Sequence, residues 1–187
     1  MGGHGQGEPD GDDDDDVGPE PFSTPGGVEV ARLSPTLWFA TGFGAGYGKP
    51  GPGTRGSLVG LMIAWAVTAA SGSAWAVPVS AALACGFGIP ICAAGVKHFG
   101  REDPPEVVWD EIAGMLVVFA FVPLEWWSGS IGFALFRLYD IWKPPMVAVG
   151  ERLPGAWGVM ADDISAGVIT AGLLYFGVVN PLFPVVL

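Results

Sequence analysis

The residues able to do chemistry lie in four short islands that interrupt long apolar stretches: PGTRGS (52–57), VVWDEIAG (107–114), FRLYDIWKP (136–144) and MADDISAG (160–167). They set five carboxylates, Asp110, Glu111, Asp140, Asp162 and Asp163, beside the bases Arg55, Arg137 and Lys143. An ionised side chain at the centre of a membrane helix costs about 2.5–3.5 kcal/mol even on a lenient insertion scale. Acids that outnumber their bases in such surroundings predict a cation site, and the bases among them predict a bound anion. Oxygen ligands without a His or Cys cluster select a hard ion, Mg²⁺ or Mn²⁺. Two such ions, or one ion and a carboxylate acting as base, would use all five acids, which is the equipment of metal-dependent phosphate chemistry.

Each island also has a plainer reading. Asp110 and Glu111 open a helical segment, where carboxylates complement the helix dipole. Gly114 follows them and is small enough to admit a neighbouring helix. Asp162 and Asp163 are expected to open the last apolar segment, one of them capping it and the other left over. Arg137, Asp140 and Lys143 are spaced by three, so they share a helical face and alone would read as an ion-pair ladder. Pro144 ends that helix and leaves Lys143 in its last turn, within reach of an anion. The glycine-rich run 42–56 has Thr54 and Ser57 at its far end. Its backbone amides, beside a helix N-terminus expected at Ser57, are suited to cradle phosphate.

The elements that must position these groups are membrane helices. Half of the 187 residues are apolar and only 14% are charged, against about 25% charge in a typical soluble domain. The net charge of −11 is largely a matter of the N-terminus: residues 1–31 carry nine acids and no base, leaving ten acids against eight bases elsewhere. This Gly- and Pro-rich tail, with its run of five Asp at 12–16, cannot bury apolar surface and is expected to be disordered. The run has no fixed ligand cage and reads as a solvated extension rather than a calcium site. The division is a tail, 1–34, and a membrane domain, 35–187.

Residues 57–96 contain no charged side chain, enough for two spans of about 20 residues each. The predicted spans are 57–71 and 75–96, with Pro78 and Pro90 bending the second. Two short apolar segments follow, 109–124 and 126–142, then a last one at 164–185. The segment 35–48 is too short to cross and is expected at the interface or re-entrant. Five crossings from a cytoplasmic N-terminus put Arg32, Lys49, Arg55, Lys97, Arg101, Lys143 and Arg152 inside, as the positive-inside rule requires. The same layout brings all four islands to the cytoplasmic side. A single span over 112–136 would instead separate Asp110 from Asp140. Cys85 and Cys92 point the same way along one helix, so they are expected as small buried residues and not as a disulfide.

Several functions are excluded. There is no basic patch for nucleic acid. A cysteine phosphatase needs Arg six residues after its Cys, but Ile91 and His98 stand there; the chain has only His4 and His98, too few for a histidine-nucleophile lipid phosphatase. Gly46, Gly48 and Gly51 fit GxGxxG by spacing alone, and Pro50 excludes a dinucleotide fold.

Read together, the islands resemble phosphatidylglycerophosphatase A, a bacterial lipid phosphatase family. The resemblance rests on Gly42-Phe43-Gly44, PGTRGS at 52–57, Trp109-Asp110-Glu111 with Gly114, RLYDIWKP at 137–144, and Asp162-Asp163 with Ala166-Gly167, in order across about residues 38–176. It implies an all-α fold, here a polytopic membrane bundle of about five helices. It also implies Mg²⁺-dependent hydrolysis of phosphatidylglycerophosphate to phosphatidylglycerol at the cytoplasmic face of the bacterial inner membrane. On this reading Asp110, Glu111, Asp162 and Asp163 bind metal, Asp140 is a ligand or general base, and Thr54, Arg55, Ser57, Arg137 and Lys143 hold substrate. Arg55 occupies the variable position of the PGTxGS pattern. A homo-oligomer is compatible with the sequence but not fixed by it. The competing reading is a small cation transporter, which predicts acids spread along a path at the midplane rather than gathered at segment ends with bases among them.

Overall fold

The computed structural model describes Gly2 and residues 34–144, 147, 150 and 153–179. The acidic tail, apart from Gly2 and Ser34, falls outside the described residues, as does Arg152. Among the described residues the regular structure is all helical: α1 (Pro35–Ala40), a 3₁₀ turn (Ala45–Tyr47), α2 (Pro52–Ser71), α3 (Ala76–Phe99), α4 (Trp109–Ala120), α5 (Trp126–Trp142) and α6 (Ala156–Leu174), continued by a π turn (Tyr175–Val179).

Local chemistry sets the boundaries. Pro35 and Pro52 occupy first-turn positions of α1 and α2, where a missing N–H costs nothing. Ser34 Oγ accepts the Leu37 N–H at 3.3 Å and caps α1. Gly72 (φ 58°) ends α2 and Gly100 (φ 66°) ends α3 in the left-handed conformation that glycine tolerates best. Glu125 begins α5 with a reciprocal capping box, its N–H donating to Ser128 Oγ at 2.8 Å. Pro78 falls in the first turn of α3, so only Pro90 interrupts the hydrogen-bond ladder of that helix.

Helix α4 is the hub. Nine of its twelve residues are buried, and it packs on α2, α3 and α6. Its start is pinned from two sides: Val108 N–H donates to Ala40 O at 2.9 Å, and Trp109 Nε1 to Ala84 O at 3.0 Å. Contact between α4 and α6 runs through glycines. A Cβ at Gly114 would stand 2.8 Å from Asp163 O and 2.7 Å from the Phe136 ring, and one at Gly167 would stand 2.6 Å from Gly114 O. Gly114 therefore admits α6, as its size led one to expect. Cys85 and Cys92 are both free, and Cys92 is buried.

Two expected helix starts are corrected. Helix α2 begins at Pro52 rather than Ser57, so the PGTRGS motif is its opening turns and not a loop before it. Helix α6 begins at Ala156, so Asp162 and Asp163 lie nearly two turns inside it and neither caps it. The hairpin of α4 and α5 stands: 109–142 is two helices, and Asp110 and Asp140 line one cavity. Helix length supports fewer crossings than expected. Two helices among the described residues, Ala76–Phe99 and Ala156–Gly177, are long and apolar enough to cross a membrane. Helix α4, at about 18 Å for its twelve residues, is shorter than a hydrocarbon core of about 30 Å.

The glycine contact yields a paired test on one helix. Gly167→Ala should destabilise the protein by about 1–3 kcal/mol through overpacking. Gly172→Ala, at a site with no neighbour within 4 Å, should be neutral or stabilising by up to about 1 kcal/mol. Thermal unfolding in detergent reads both, and equal behaviour of the two variants would rule out the close α4–α6 approach.

Candidate active site

The starts of α2 and α4, the end of α5 and a stretch of α6 up to two turns from its start meet around a cavity of about 310 Å³. Asp110 and Glu111 reach it from the first turn of α4, where their charge complements the helix dipole. Arg137, Asp140 and Lys143 reach it from the end of α5, Asp163 from α6, and Gly51, Pro52 and Gly53 from the start of α2. Asp103, on the α3–α4 connection, completes the wall.

Asp110, Glu111 and Asp163 form the centre. Each offers a carboxylate oxygen, and these oxygens lie within 4.8 Å of one another. Asp110 and Asp163 are each only 5% exposed. At about 5 Å and an effective dielectric of about 20, every like-charge pair costs about 3 kcal/mol. Asp110 Oδ1, Glu111 Oε2 and Asp163 Oδ1 are buried without a hydrogen-bond partner. Oxygen donors that crowd together and lack partners fit a hard divalent cation, which would satisfy all three and cancel the repulsion.

The bases are held by other acids. Arg137 pairs with Asp140 one turn along α5, and the same Nη1 donates to Ser57 Oγ at 3.4 Å. Its Nε is buried without a partner. A side chain at Gly53 would run into the Glu111 carboxylate and stand 3.2 Å from Arg137 Nη1, so glycine there keeps the space between these groups open. Lys143 ends α5 in a left-handed conformation (φ 42°), and its Nζ donates to Asp162 Oδ2 at 3.1 Å. Partial burial works against the charge on Lys143, but the bond to Asp162 and its charge outweigh that and raise the pKa above the ordinary lysine value.

Of the residues singled out from sequence, six line the cavity: Asp110, Glu111, Asp140, Asp163, Arg137 and Lys143. Four do not. Asp162, adjacent to Asp163, turns to Lys143 and to the Gly150 N–H, which it accepts at 2.7 Å. Ser57 is fully buried, one turn into α2, donating to Gly53 O at 2.9 Å and steadying Arg137. Thr54 and Arg55 are exposed, and Arg55 donates to Lys49 O at 3.2 Å. Asp103 went unnoticed in the sequence, where it belongs to no motif; its cue is the Pro104-Pro105 pair that fixes the backbone after it.

The model of the family described as phosphatidylglycerophosphatase A matches residues 38–178. The chain belongs to that family. Among its relatives, phosphatidylglycerophosphatase A of Escherichia coli strain K12 is 35% identical over 154 residues, covering 80% of this chain and 88% of the relative. Phosphatidylglycerophosphatase A of Haemophilus influenzae is 34% identical over 142 residues, 75% of this chain and 86% of the relative. A Bacteroides thetaiotaomicron protein, provisionally named a phosphatidylinositol-3-phosphatase, is 35% identical over 134 residues, 68% of this chain and 84% of the relative. No solved structure matches the chain. The cavity thus collects, from separate helices, acids and bases of three of the five motifs by which the chain resembles phosphatidylglycerophosphatase A, with the PGTRGS motif represented by Pro52 and Gly53.

The Arg137–Asp140 pair is mostly buried, both side chains about 15% exposed or less. Arg137→Met should therefore cost about 3 kcal/mol or more, because it strands Asp140 beside the carboxylate cluster. Adding Asp140→Leu should recover most of that loss in a thermal-unfolding double-mutant cycle. Additive losses would show that the two side chains are not coupled.

Proposed function

We propose that this chain hydrolyses phosphatidylglycerophosphate to phosphatidylglycerol and inorganic phosphate, with Mg²⁺ as its cofactor. The observation that carries the reading is the convergence of Asp110, Glu111 and Asp163 on one point, with Arg137 and Lys143 on the same cavity wall. The names of the Escherichia coli and Haemophilus influenzae relatives supply the substrate.

Asp110, Glu111 and Asp163 would hold the ion. When bound, Mg²⁺ supplies Lewis-acid polarisation of a phosphate oxygen and lowers the pKa of a coordinated water. The chain's own groups do the rest. Arg137 and Lys143 neutralise the phosphate oxygens as charge shifts toward the leaving glycerol oxygen. Asp140, already engaged by Arg137, orients the guanidinium, so we assign it that task rather than proton transfer. Ser57 fixes the same guanidinium from behind. Overall one water is consumed: its oxygen ends on phosphorus as the P–O bond to glycerol breaks, one of its protons goes to the glycerol oxygen and the other stays with the inorganic phosphate that leaves.

The site would lie at the cytoplasmic face of a bacterial inner membrane. Many large apolar side chains are exposed around the bundle, among them Met62, Leu83, Phe87, Phe121, Ile141 and Trp157, which is a surface suited to lipid and not to water. Lys49, Lys97 and Arg101 sort with the site, and the turns near 72 and 127 carry no base. In this arrangement α4 is sheltered inside the bundle, so its short length is not exposed to a full bilayer. The cation-transporter alternative gains no support from the family or from the acids, which gather at one cavity.

Purified detergent-solubilised protein should release phosphate from phosphatidylglycerophosphate with Mg²⁺ and lose that activity in EDTA. Asp110→Asn, Glu111→Gln and Asp163→Asn should each reduce release by about a hundredfold or more while remaining folded. Phosphatidylinositol 3-phosphate tested beside it discriminates the two headgroups named among the relatives. Metal-independent release, or full activity in these variants, would sink the proposal. In inverted and right-side-out vesicles, Ser73→Cys and Gly100→Cys should react with an impermeant maleimide from opposite sides; labelling from one side would overturn the topology.

A further inference from the structure

The adjacent acids of α6 face different neighbours. Asp163 points into the cavity and keeps a buried oxygen without a partner. Asp162, also buried, has both oxygens engaged: Oδ1 accepts the Gly150 N–H at 2.7 Å and Oδ2 accepts Lys143 Nζ at 3.1 Å. Its place is tightly defined. A Cβ at Gly150 would stand 2.5 Å from Asp162 Oδ1, and one at Gly158 would stand 2.7 Å from Gly150 O. Gly150 is thereby drawn against α6 at the level of the acid. Lys143 is fixed at its other end too. Its backbone is left-handed (φ 42°), its N–H donates to Tyr139 O at 2.9 Å, and Pro144 follows. A non-glycine residue in that region is uncommon, and such strain collects at functional sites.

We propose that Asp162 is a positioning residue and not a metal ligand: it holds the Lys143 ammonium at the cavity wall, where Lys143 grips the phosphate of the substrate. The inference rests on the phosphatase reading and divides the Asp162-Asp163 motif into two tasks. Asp163 serves the ion; Asp162 serves the base that meets the anion. An oxygen already occupied by an ammonium and another by a backbone N–H leave Asp162 poorly placed to coordinate a cation. The same two bonds hold a flexible lysine, whose side chain would otherwise lose rotamer freedom on binding substrate.

The test uses the full chain in detergent and two independent readouts. Mn²⁺ affinity, measured by electron paramagnetic resonance with the metal alone, should change by less than about twofold in Asp162→Asn and fall by more than about tenfold in Asp163→Asn. For phosphatidylglycerophosphate, Asp162→Asn and Lys143→Met should each raise KM by about tenfold, with a smaller change in kcat, and the double variant should be no worse than Lys143→Met. A general loss of structure would instead lower the unfolding temperature and the active fraction without that split. Lys143→Met leaves Asp162 and its bond to Gly150 in place, so it probes the pair even where Asp162→Asn folds poorly. Loss of Mn²⁺ affinity in Asp162→Asn as large as in Asp163→Asn would make Asp162 a ligand and overturn the proposal. So would KM effects that multiply in the double variant. Wild-type protein that binds Mn²⁺ but releases no phosphate would sink the phosphatase reading and the role of Lys143 with it, while the Mn²⁺ comparison would still decide whether Asp162 is a ligand.

Discussion

Three carboxylates held within 4.8 Å inside an apolar bundle are the constraint around which the other helices are arranged. Left alone, their mutual repulsion, about 3 kcal/mol per pair at an effective dielectric of about 20, would drive the helices apart. Their meeting depends on backbone proximity that only small residues allow. Gly114 and Gly167 let α4 and α6 approach backbone to backbone, and that contact carries Asp163 to Asp110. Hydrogen bonds from Val108 and Trp109 to Ala40 and Ala84 fix the start of α4, so the first-turn acids cannot swing away. Apolar packing along α4 thus supplies the force that a polar cluster needs in order to persist.

The bases respect the same constraint. Arg137 pairs with Asp140, and Lys143 with Asp162; neither forms an ion pair with the three central acids. Had a lysine or arginine neutralised the cluster directly, the cluster would hold no room for a cation. Each base is instead charge-balanced by an acid outside the centre and presented at the cavity wall. The local charge is therefore negative at the centre and positive at its edge, suited to a cation and an anionic phosphate side by side.

Much of this was legible in the sequence. The charge islands, their convergence on one cavity and the division of 109–142 into two helices follow from hydropathy and from where Lys and Arg fall. The errors share a physical origin. The sequence points to helix starts at Ser57, where the charge-free run begins, and at Asp162, since in water charge and helix ends go together. In an apolar bundle a helix can begin earlier and carry its acids two turns inward, provided they face a polar cavity, as α6 does. The PGTRGS motif also offers both Ser57 and Arg55 as substrate-holding residues, Arg55 at its variable position. Helical geometry separates them, sending Arg55 to the surface and Ser57 into the protein behind Arg137.

The two acidic doublets show why adjacency in sequence does not decide membership of a site. Successive residues on a helix diverge by about 100°, so neighbouring side chains reach one point only when one is long enough to bend around. Asp110 is followed by Glu111, whose extra methylene lets its carboxylate return toward the Asp110 side, and Gly53 on the facing helix leaves the space it needs. Asp162 and Asp163 are both short. With no length to offset the turn of the helix, one must face the cavity and the other the α5–α6 connection, where Lys143 and Gly150 meet it. In this chain the Asp-Glu pair therefore meets at one point and the Asp-Asp pair divides between two, a distinction set by a single methylene and the pitch of the helix.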